Sequence, residues 1–453
     1  MKEKKVLSKL IMSGLLITTL VSTPYSINLI PETSSATENK ISGQPSNTIT
    51  FVTSDKDAPK ILKHIKETKK DNSLVDIRSK IKDKQLKVNT KNISETIDYD
   101  NDKQLRESNE LAFSIKDVKK EEKLQKYLNK ALKSGKRIYL YGELTADDFK
   151  SALGLEKMEI TENISGKEMK AIIGEDKNLD TIKGPKKEVN SNLEKDDSSN
   201  IIGFTLDDQA QLQYIQTNIS VYDKDGKEIN EISNELYLQE LLFLQSELLN
   251  KSINKEEISK DSALISDNKA NAASTRVIDR YGAYGSAYLG STLYGRIDTD
   301  WELFKQNSDS SSTYDYFTVK PKSQLTEYNG SASKYMKTDI DIPRDGDHLK
   351  TWSPYGDRNV KDYTVSISYP FNVSWEMSWN DEVKIDDQSS IGYDYARWVV
   401  TDGDLHQQVF NPGAGWASKG SYAKADIRST GRFTWWDTEY VTANTTIYVR
   451  YDY

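Results

Sequence analysis

Residues 363–379 read YTVSISYPFNVSWEMSW, and this stretch decides the fold that the sequence predicts. Every odd position from Tyr363 to Trp379 is apolar, whereas every even position is Thr, Ser, Pro, Asn or Glu. Alternation with a period of two is the signal of a half-buried β-strand. The run is longer than a usual strand, and Pro370 lacks the N–H that a central strand needs. We therefore expect an edge strand, or two strands that switch sheets near Pro370.

The rest of the C-terminal part has the composition of an antiparallel β-protein. All eight tryptophans lie beyond residue 270, among short runs that are rich in Gly, Ser, Thr and Tyr. Residues 426–436 and 442–451 have the pattern of closing strands. We predict a two-sheet antiparallel sandwich over residues 275–453, preceded by a polar linker at residues 256–274.

Residues 118–255 show helical and strand patterns in alternation. The predicted elements are a helix at 124–132, a strand at 137–141, a helix at 145–153, strands at 201–205 and 212–222, and a helix at 236–249. Thr145 stands three residues before Asp148, which is the spacing of a helix capping box. The predicted fold class is therefore multi-domain α+β, in which a small α/β domain is followed by the antiparallel β-sandwich.

The N-terminus has the layout of a secretory signal peptide over residues 1–36. Lysines precede an apolar run at residues 10–21, which is shorter than the roughly 20 residues of a membrane-spanning helix. Cleavage is predicted either at the small residues Ser34 and Ala36 or at residues 22–26. An uncleaved membrane anchor is the alternative interpretation of the same segment.

Residues 37–117 read as a polar, flexible arm. They are dense in Lys, Asp, Asn and Ser, with single Ile and Leu residues scattered among them. Such a stretch buries too little apolar surface to offset the entropy of ordering the chain.

Composition excludes some classes of function. The chain has 453 residues, no cysteine and a net charge of −8. This charge argues against nucleic-acid binding, which depends on clustered Lys and Arg. The missing cysteines exclude disulfides and thiolate zinc sites. Together with export, they favour an extracellular protein of a Gram-positive type of bacterium.

Four aspartates form the candidate metal site. Asp339, Asp341, Asp345 and Asp347 surround a Pro-Arg-Asp-Gly turn, and hard cations such as Ca²⁺ take carboxylate oxygens as ligands. A solvated turn with charges at a strand edge is the alternative, because the spacing matches no loop with defined ligand positions. At Asp223 a plain hairpin turn is the favoured interpretation.

Aromatic residues form the candidate ligand-binding site. Tyr281, Tyr284 and Tyr288 alternate with glycines and could present flat faces to a carbohydrate, or they could be ordinary strand residues. Trp435 and Trp436 cannot both face inward from one regular strand, so one of them is a candidate for surface contact.

Catalytic motifs are missing from the sequence. It has no Gly-x-Ser-x-Gly elbow, no His-Glu-x-x-His and no Walker loop. Only His348 and His406 could serve a catalytic triad, and no serine is marked as their partner. Glu376 lies among aromatic residues but on the polar side of the alternating run. We therefore name no catalytic residue.

Two segments resemble known exported proteins. Residues 374–379, residues 395–399 and the Phe-Asn-Pro-Gly sequence at 410–413 resemble the C-terminal module of uncharacterised secreted proteins of bacteria and archaea. Residues 135–153 are similar to stretches in unassigned Bacillus-type exported proteins. The resemblance implies export and β-structure, and it brings no established activity.

The sequence therefore predicts a secreted or cell-envelope-associated protein that binds a surface glycan or protein through its aromatic β-sandwich. The alternative is a membrane-active, β-pore-forming toxin, because inserting strands alternate as residues 363–379 do. A secreted glycoside hydrolase is a weaker alternative.

Overall fold

The computed structural model places strands and helices along most of the chain. It describes residues 26–31, 48–67, 74–83, 86–93, 98–134, 136–164, 167–172, 199–206, 212–253, 274–277, 281–306, 311, 313–367, 373–436 and 439–452. Within these residues the fold is α+β, as the sequence predicts. A small α/β region comes first, and large antiparallel sheets follow it.

Strands and helices alternate in the N-terminal part. The strands are β1 (Ser26–Pro31), β2 (Thr48–Thr53), β3 (Lys87–Asn92), β4 (Glu110–Ser114), β5 (Arg137–Leu144), β6 (Leu155–Ile164), β7 (Lys167–Ile172), β8 (Ser199–Leu206), β9 (Leu212–Tyr222) and β10 (Glu228–Ile229). The helices are α1 (Ala58–Glu67), α2 (Val75–Lys82), α3 (Lys103–Glu107), α4 (Ile115–Lys120), α5 (Glu122–Lys133), α6 (Ala146–Ala152) and α7 (Asn234–Ile253). The elements predicted between residues 124 and 249 are thus confirmed.

In the C-terminal part, the described residues form strands and a single 3₁₀ helix at Ile391–Tyr393. The strands are β11 (Ser274–Val277), β12 (Tyr281–Leu289), β13 (Thr292–Gln306), β14 (Asp315–Glu327), β15 (Ala332–Asp341), β16 (Asp347–Ser353), β17 (Arg358–Ile367), β18 (Val373–Asp387), β19 (Tyr395–Thr401), β20 (Val409–Phe410), β21 (Gly413–Ser418), β22 (Tyr422–Trp436) and β23 (Glu439–Asp452). The predicted closing strands are β22 and β23.

The segment expected to be a flexible arm is folded wherever the structure describes it. Between residues 48 and 117 the chain forms β2, β3, β4 and helices α1 to α4. Ile49, Phe51 and Leu111 are completely buried. The expectation failed because β2 and β4 are short parallel strands covered on both faces, so a few apolar residues are enough to form a core.

One sheet runs through both parts of the molecule. Its order is β16-β21-β14-β13-β12-β9-β8-β5-β4-β2-β3, and its strands β3, β2, β4 and β5 are parallel. Helices α1, α2 and α7 contribute to the core on one face, and α4 to α6 contribute to the core on the other. The helices thus cover the parallel end of the sheet on both sides.

The second sheet contains most of the remaining C-terminal strands. Its order is β1-β6-β7-β23-β22-β15-β19-β18-β17. Strands β22 and β23 of this sheet contact β12 and β13 of the first. The two sheets therefore pack face to face, as expected for a sandwich, and Phe317, Trp398 and Ile427 are buried in the core between them.

The alternating run at 363–379 forms β17 and the first part of β18, which pair antiparallel as a hairpin. Five of its described apolar residues are buried, among them Val365, Ile367 and Trp379. Strand β17 is the edge of its sheet, so the predicted edge strand is confirmed. The two strands stay in one sheet instead of switching sheets. Pro370 lies outside the described residues.

A row of hydroxyl groups crosses the sandwich core. The Thr299 hydroxyl lies 2.8 Å from that of Thr445 and 3.3 Å from that of Ser323, which lies 2.8 Å from Ser429. All four side chains are buried. Because each hydroxyl can both donate and accept, the row satisfies its own hydrogen bonds and joins the two sheets in one register.

The two parts of the chain meet at a parallel pair of strands. Strand β12 pairs with β9 along its whole length, and α7 covers the junction. At Gly285 a Cβ atom would lie 2.4 Å from the backbone oxygen of Asn444 in β23. Only glycine permits this close approach of the second sheet, so Gly285 serves packing.

The predicted leader overlaps the folded structure. Strand β1 pairs with β6, although the predicted signal peptide includes its residues. Cleavage at residues 22–26 would leave most or all of β1 in the sheet, whereas cleavage after Ala36 would remove it. The rest of the predicted leader lies outside the described residues, as does the predicted linker apart from Ser274. In the described part, no helix combines the length and apolar character needed to cross a bilayer.

Candidate functional site

Exposed aromatic side chains gather on two loops of the C-terminal part. One loop, counted with the strand ends that flank it, is residues 352–358 between β16 and β17. The other is residues 388–395 between β18 and β19, which contain the 3₁₀ helix. The 3₁₀ helix contacts β16, so the two loops adjoin. We call this surface the aromatic tip; its residues are Trp352, Tyr355, Ile391, Tyr393 and Tyr395.

The aromatic tip contains much of the exposed apolar surface that the structure describes. Tyr355 is 65% exposed, Tyr393 is 58% exposed and Ile391 is 56% exposed. Among the described residues, only three other large hydrophobic side chains are exposed, and these lie at separate places in the chain. A cluster of such side chains is typical of a contact surface, whereas single exposed ones are not.

Asp387 fixes the first loop. Its Oδ2 atom accepts hydrogen bonds from Trp352 Nε1 at 2.9 Å and from the backbone N–H of Gly356 at 2.7 Å. Gly356 has a φ of +72°, which favours glycine. The backbone N–H of Asp387 donates to Asp357 Oδ1 at 2.9 Å. The Tyr355 ring, 5.4 Å from the Trp352 ring, is thus presented on an anchored turn.

The second loop is fixed in a similar way. Ser389 donates its backbone N–H to Asp387 Oδ1 at 3.0 Å. Asp394, at the end of the 3₁₀ helix, accepts the backbone N–H of Leu349 in β16 at 3.0 Å. The Tyr393 and Tyr395 rings stack at 6.4 Å. One carboxylate therefore holds both loops, and a second carboxylate ties the 3₁₀ helix to β16.

The sequence prediction did not include the aromatic tip. The available signal was an aromatic residue inside a turn sequence, as in Pro354-Tyr355-Gly356 and Gly392-Tyr393. Turn residues expose their side chains, so an aromatic residue there is a stronger candidate for contact than one in an alternating strand.

Two of the three predicted tyrosines, Tyr284 and Tyr288, belong to the core. Tyr284 and Tyr288 are buried beneath α7, and the Tyr288 hydroxyl donates to Glu240 Oε2 at 3.0 Å. Their predicted role in surface contact is therefore replaced by packing, because the helix covers that face of β12. The backbone of Tyr281 begins β12, and its side chain lies outside the described residues.

Of the two predicted tryptophans, Trp435 is half-buried. Its ring lies edge-on to Tyr294, with the centroids 6.4 Å apart, and it packs over the turn at Gly226. The register of β22 against β23 shifts between Thr434 and Trp436. The side chain of Trp436 lies outside the described residues.

The four predicted metal ligands do not converge. Asp339 is buried and bonds to Arg397, whereas Asp341 lies 3.9 Å from Arg428 and Asp345 is exposed. Within the described residues, no three acidic or histidine side chains are grouped to hold a metal. Asp339, Asp341 and Asp347 each lie beside an arginine.

Asp347 belongs to a buried polar cluster. It accepts hydrogen bonds from Arg344 at 2.9 Å, from the Ser418 hydroxyl at 2.6 Å and from the Lys424 backbone N–H at 3.0 Å. Burial raises the pKa of this carboxyl above its ordinary value. These donors satisfy its oxygens, so Asp347 ties β16 to β21 and β22.

The two histidines and Glu376 lie apart from one another, each with its own neighbours. His406 Nδ1 accepts the backbone N–H of Glu327 at 3.0 Å, and His348 Nδ1 lies 3.6 Å from Asp394 Oδ2. Glu376 is exposed on the outer face of β18, as its position in the alternation predicts. At Asp223 the carboxylate accepts the backbone N–H groups of Asp225 and Lys227, so the predicted turn is confirmed.

No family model matches the chain, and no curated protein matches it. Among solved structures, one described as a pore forming protein is similar over 39% of this chain and 94% of its own, with a TM-score of 0.24 and 8% identity. The delta-toxin of Clostridium perfringens is similar over 40% of this chain and 93% of its own, with a TM-score of 0.23 and 12% identity. At such TM-scores the likeness carries no inference about this chain.

Proposed function

We propose that the protein is an exported binding protein and that the aromatic tip makes contact with a ligand on a cell surface. The observation that carries this proposal is the exposure of Tyr355, Ile391 and Tyr393 on two loops anchored by one carboxylate. A surface glycan or a surface protein is the ligand class. The α/β region continues the sheet of the sandwich, so it would hold the tip at a fixed position.

Rigid exposed aromatic residues suit recognition. A tyrosine side chain offers a large contact area and loses little conformational entropy on binding, because it has only two rotatable bonds. Anchoring the loops before binding lowers the remaining entropic cost. Asp387 provides this anchoring through Trp352, Gly356 and Ser389.

Membrane binding is the second candidate, and Ile391 favours it. Tyrosine and tryptophan prefer the interface between lipid and water, and an exposed isoleucine beside them could enter the lipid. The described part of the run at 363–379 has a different place, since Val365, Ile367 and Trp379 are buried in the sandwich. Among the described residues, the aromatic tip is therefore the best candidate for contact with lipid.

The double variant Tyr355→Ser/Tyr393→Ser tests the proposal, with Ile229→Ser as a control at an exposed apolar residue elsewhere. The proteins would be compared on a glycan array, on whole cells and in flotation with liposomes. Loss of glycan or cell binding in the double variant alone supports the proposal. Equal binding by all three proteins would exclude the aromatic tip as the contact surface.

The same proteins separate the two candidates. Flotation with protein-free liposomes that the double variant loses would assign the tip to membrane binding. Release of a trapped dye would add membrane damage, and Ile391→Ser should then weaken the effect. A protein that binds cells but neither floats nor releases dye is a binder of a glycan or protein.

A further inference from the structure

A second surface lies on the outer face of the nine-stranded sheet, away from the aromatic tip. Arg432 in β22 lies between two tyrosines, with its Cζ atom 3.9 Å from the ring centroid of Tyr335 and 4.7 Å from that of Tyr440. Tyr335 is paired with Arg432 in the register of β15 and β22, and Tyr440 belongs to β23. Three adjacent strands thus build one stack.

The electrostatic environment of Arg432 differs from that of the neighbouring arginines. Arg397 and Arg428 on the same face lie beside carboxylates, namely Asp339 for the first and Asp341 and Asp426 for the second. For Arg432 the contacts within the described residues are the two rings, and none is an ion pair with a carboxylate. Within the described part of the chain it is therefore a cation without a carboxylate counter-charge.

The guanidinium is held in place while its edge stays accessible. Arg432 is half-buried, and none of its nitrogen atoms is both buried and without a hydrogen-bond partner. The tyrosine rings lie against the guanidinium, whereas its N–H groups point outward in its plane and stay open to a ligand. That planar fork matches the oxygens of a carboxylate or a sulfate, and stacking reduces the freedom that binding would remove.

Neutral polar groups lie beside this cation. Thr442 is opposite Arg432 on β23. The Thr430 hydroxyl donates to Asn444 Oδ1 at 2.9 Å, which directs the Asn444 amide N–H groups away from that bond. Tyr440 is 44% exposed, so part of its side chain is open to a ligand. The site therefore combines one cation with an aromatic surface and hydroxyl and amide groups.

We propose that Tyr335, Arg432 and Tyr440 form a binding site for an acidic sugar, with Arg432 holding its carboxylate or sulfate ester. A sugar ring suits an exposed tyrosine, and its hydroxyls suit Thr442 and Asn444. A bilayer is the less suitable occupant, because Tyr440 is the only exposed large hydrophobic side chain described on this face. The site stands on its own geometry and does not depend on the aromatic tip.

The test uses the whole exported protein and calorimetric titration with glucuronate, galactose 6-sulfate and neutral glucose. Binding of the two acidic sugars but not of glucose is the expected result. Arg432→Gln should weaken acidic-sugar binding about tenfold, the size of a charge-assisted hydrogen-bond pair. Arg432→Lys should also weaken binding, because it keeps the charge and lacks the planar fork.

Lys384→Gln is the matched control. It removes one exposed cation from β18 and leaves the stack intact. If it weakens binding as much as Arg432→Gln does, the effect is general electrostatics and the site is disproved. Equal affinity for glucose would disprove the role of the anion. Glucuronate and galactose 6-sulfate separate a carboxylate from a sulfate ligand.

Two further measurements distinguish this site from the aromatic tip and a sugar ligand from a lipid headgroup. The variant Tyr355→Ser/Tyr393→Ser should bind acidic sugars normally, so failure of this site and failure of the aromatic tip are distinguishable. Vesicles with phosphatidylserine provide the lipid arm. If Arg432→Gln abolishes vesicle binding while acidic sugars do not bind at all, the proposal is overturned in favour of an anionic headgroup.

Discussion

Asp387 shows how one side chain can organise a surface. It accepts hydrogen bonds from Trp352, Gly356 and Ser389, which belong to both loops of the aromatic tip. We expect Asp387→Ala to lower the free energy of unfolding by about 1–3 kcal/mol, because it leaves half-buried donors without their partner. The free energy of binding to cells through the proposed contact surface should fall by more than the free energy of unfolding.

Urea denaturation and cell binding would measure these two effects. Asp386→Ala is the matched control, since the side chain of this neighbour accepts a hydrogen bond from Gln388 and makes none to either loop backbone among the described residues. An unchanged affinity for cells in a folded Asp387→Ala protein would show that the loops need no anchor.

The capping box of α6 predicts a pH-dependent contribution. Thr145 and Asp148 exchange hydrogen bonds, and Lys119 Nζ lies 2.7 Å from Asp148. Burial raises the pKa of this carboxyl, but the hydrogen bonds from Lys119 and Thr145 outweigh burial and hold it below its ordinary value. The charged form is thus favoured by folding, and its contribution is present above the ordinary pKa of Asp.

Asp148→Ala should therefore cost about 1 kcal/mol at pH 7. The difference from the parent protein should shrink as the pH falls through the pKa that Asp148 has in the folded protein. Urea denaturation across the acid range checks this, with Asp147→Ala as the control in the same turn. A difference that is constant with pH would mean that the charge of Asp148 contributes nothing.

At the scale of elements, α7 shows what periodicity can and cannot predict. Its apolar residues indicated an amphipathic helix, and the helix is present. Its polar residues Gln239, Glu240 and Gln245 are buried as well, although polar residues of such a helix usually face water. Their partners, such as Arg296 and Tyr139, are far away in sequence. A local pattern cannot reveal these pairings.

The buried pair at α7 gives the strongest expected effect on stability. Glu240 Oε1 lies 3.1 Å from Arg296 Nη2, and the two side chains are 0% and 1% exposed. Glu240→Gln should lower the free energy of unfolding by about 3–5 kcal/mol, because it leaves a buried guanidinium without its counter-charge.

Adding Arg296→Met to Glu240→Gln should recover part of that loss, since the uncompensated charge is then removed. A double-mutant cycle by chemical denaturation measures the coupling between the two residues. Additive effects of the two substitutions would contradict the proposed pairing.

The same contrast holds at the scale of the whole molecule. Alternation and turn residues predicted strands β17, β18, β22 and β23 of the sandwich and its edge at β17. They did not predict that β9 and β12 would join the two parts in one sheet, because this pairing connects strands far apart in the chain. The aromatic tip was missed because its loops have no periodic pattern. Surface exposure was expected for Tyr284 and Tyr288, but both are buried, because α7 covers them and their own strand gives no sign of that helix.

The shared sheet predicts how a fragment would behave. Residues 275–453 alone would expose the edge of β12, along with Tyr284 and Tyr288, which α7 now covers. An unpaired edge beside exposed apolar surface promotes association. Light scattering should therefore show oligomers or aggregates of the fragment and a monodisperse full chain. A monomeric, folded fragment would show that the sandwich is independent.

The parallel pairing of β9 with β12 also sets an order of events for a chain that is exported unfolded. The first half cannot complete its sheet until the strand at residues 281–289 has emerged, and that strand is covered in turn by β23 near the end of the chain. Pairings of such long sequence separation fold slowly. If the protein is exported as proposed, its chain would therefore be open to extracellular proteases until β23 has emerged and covered β12.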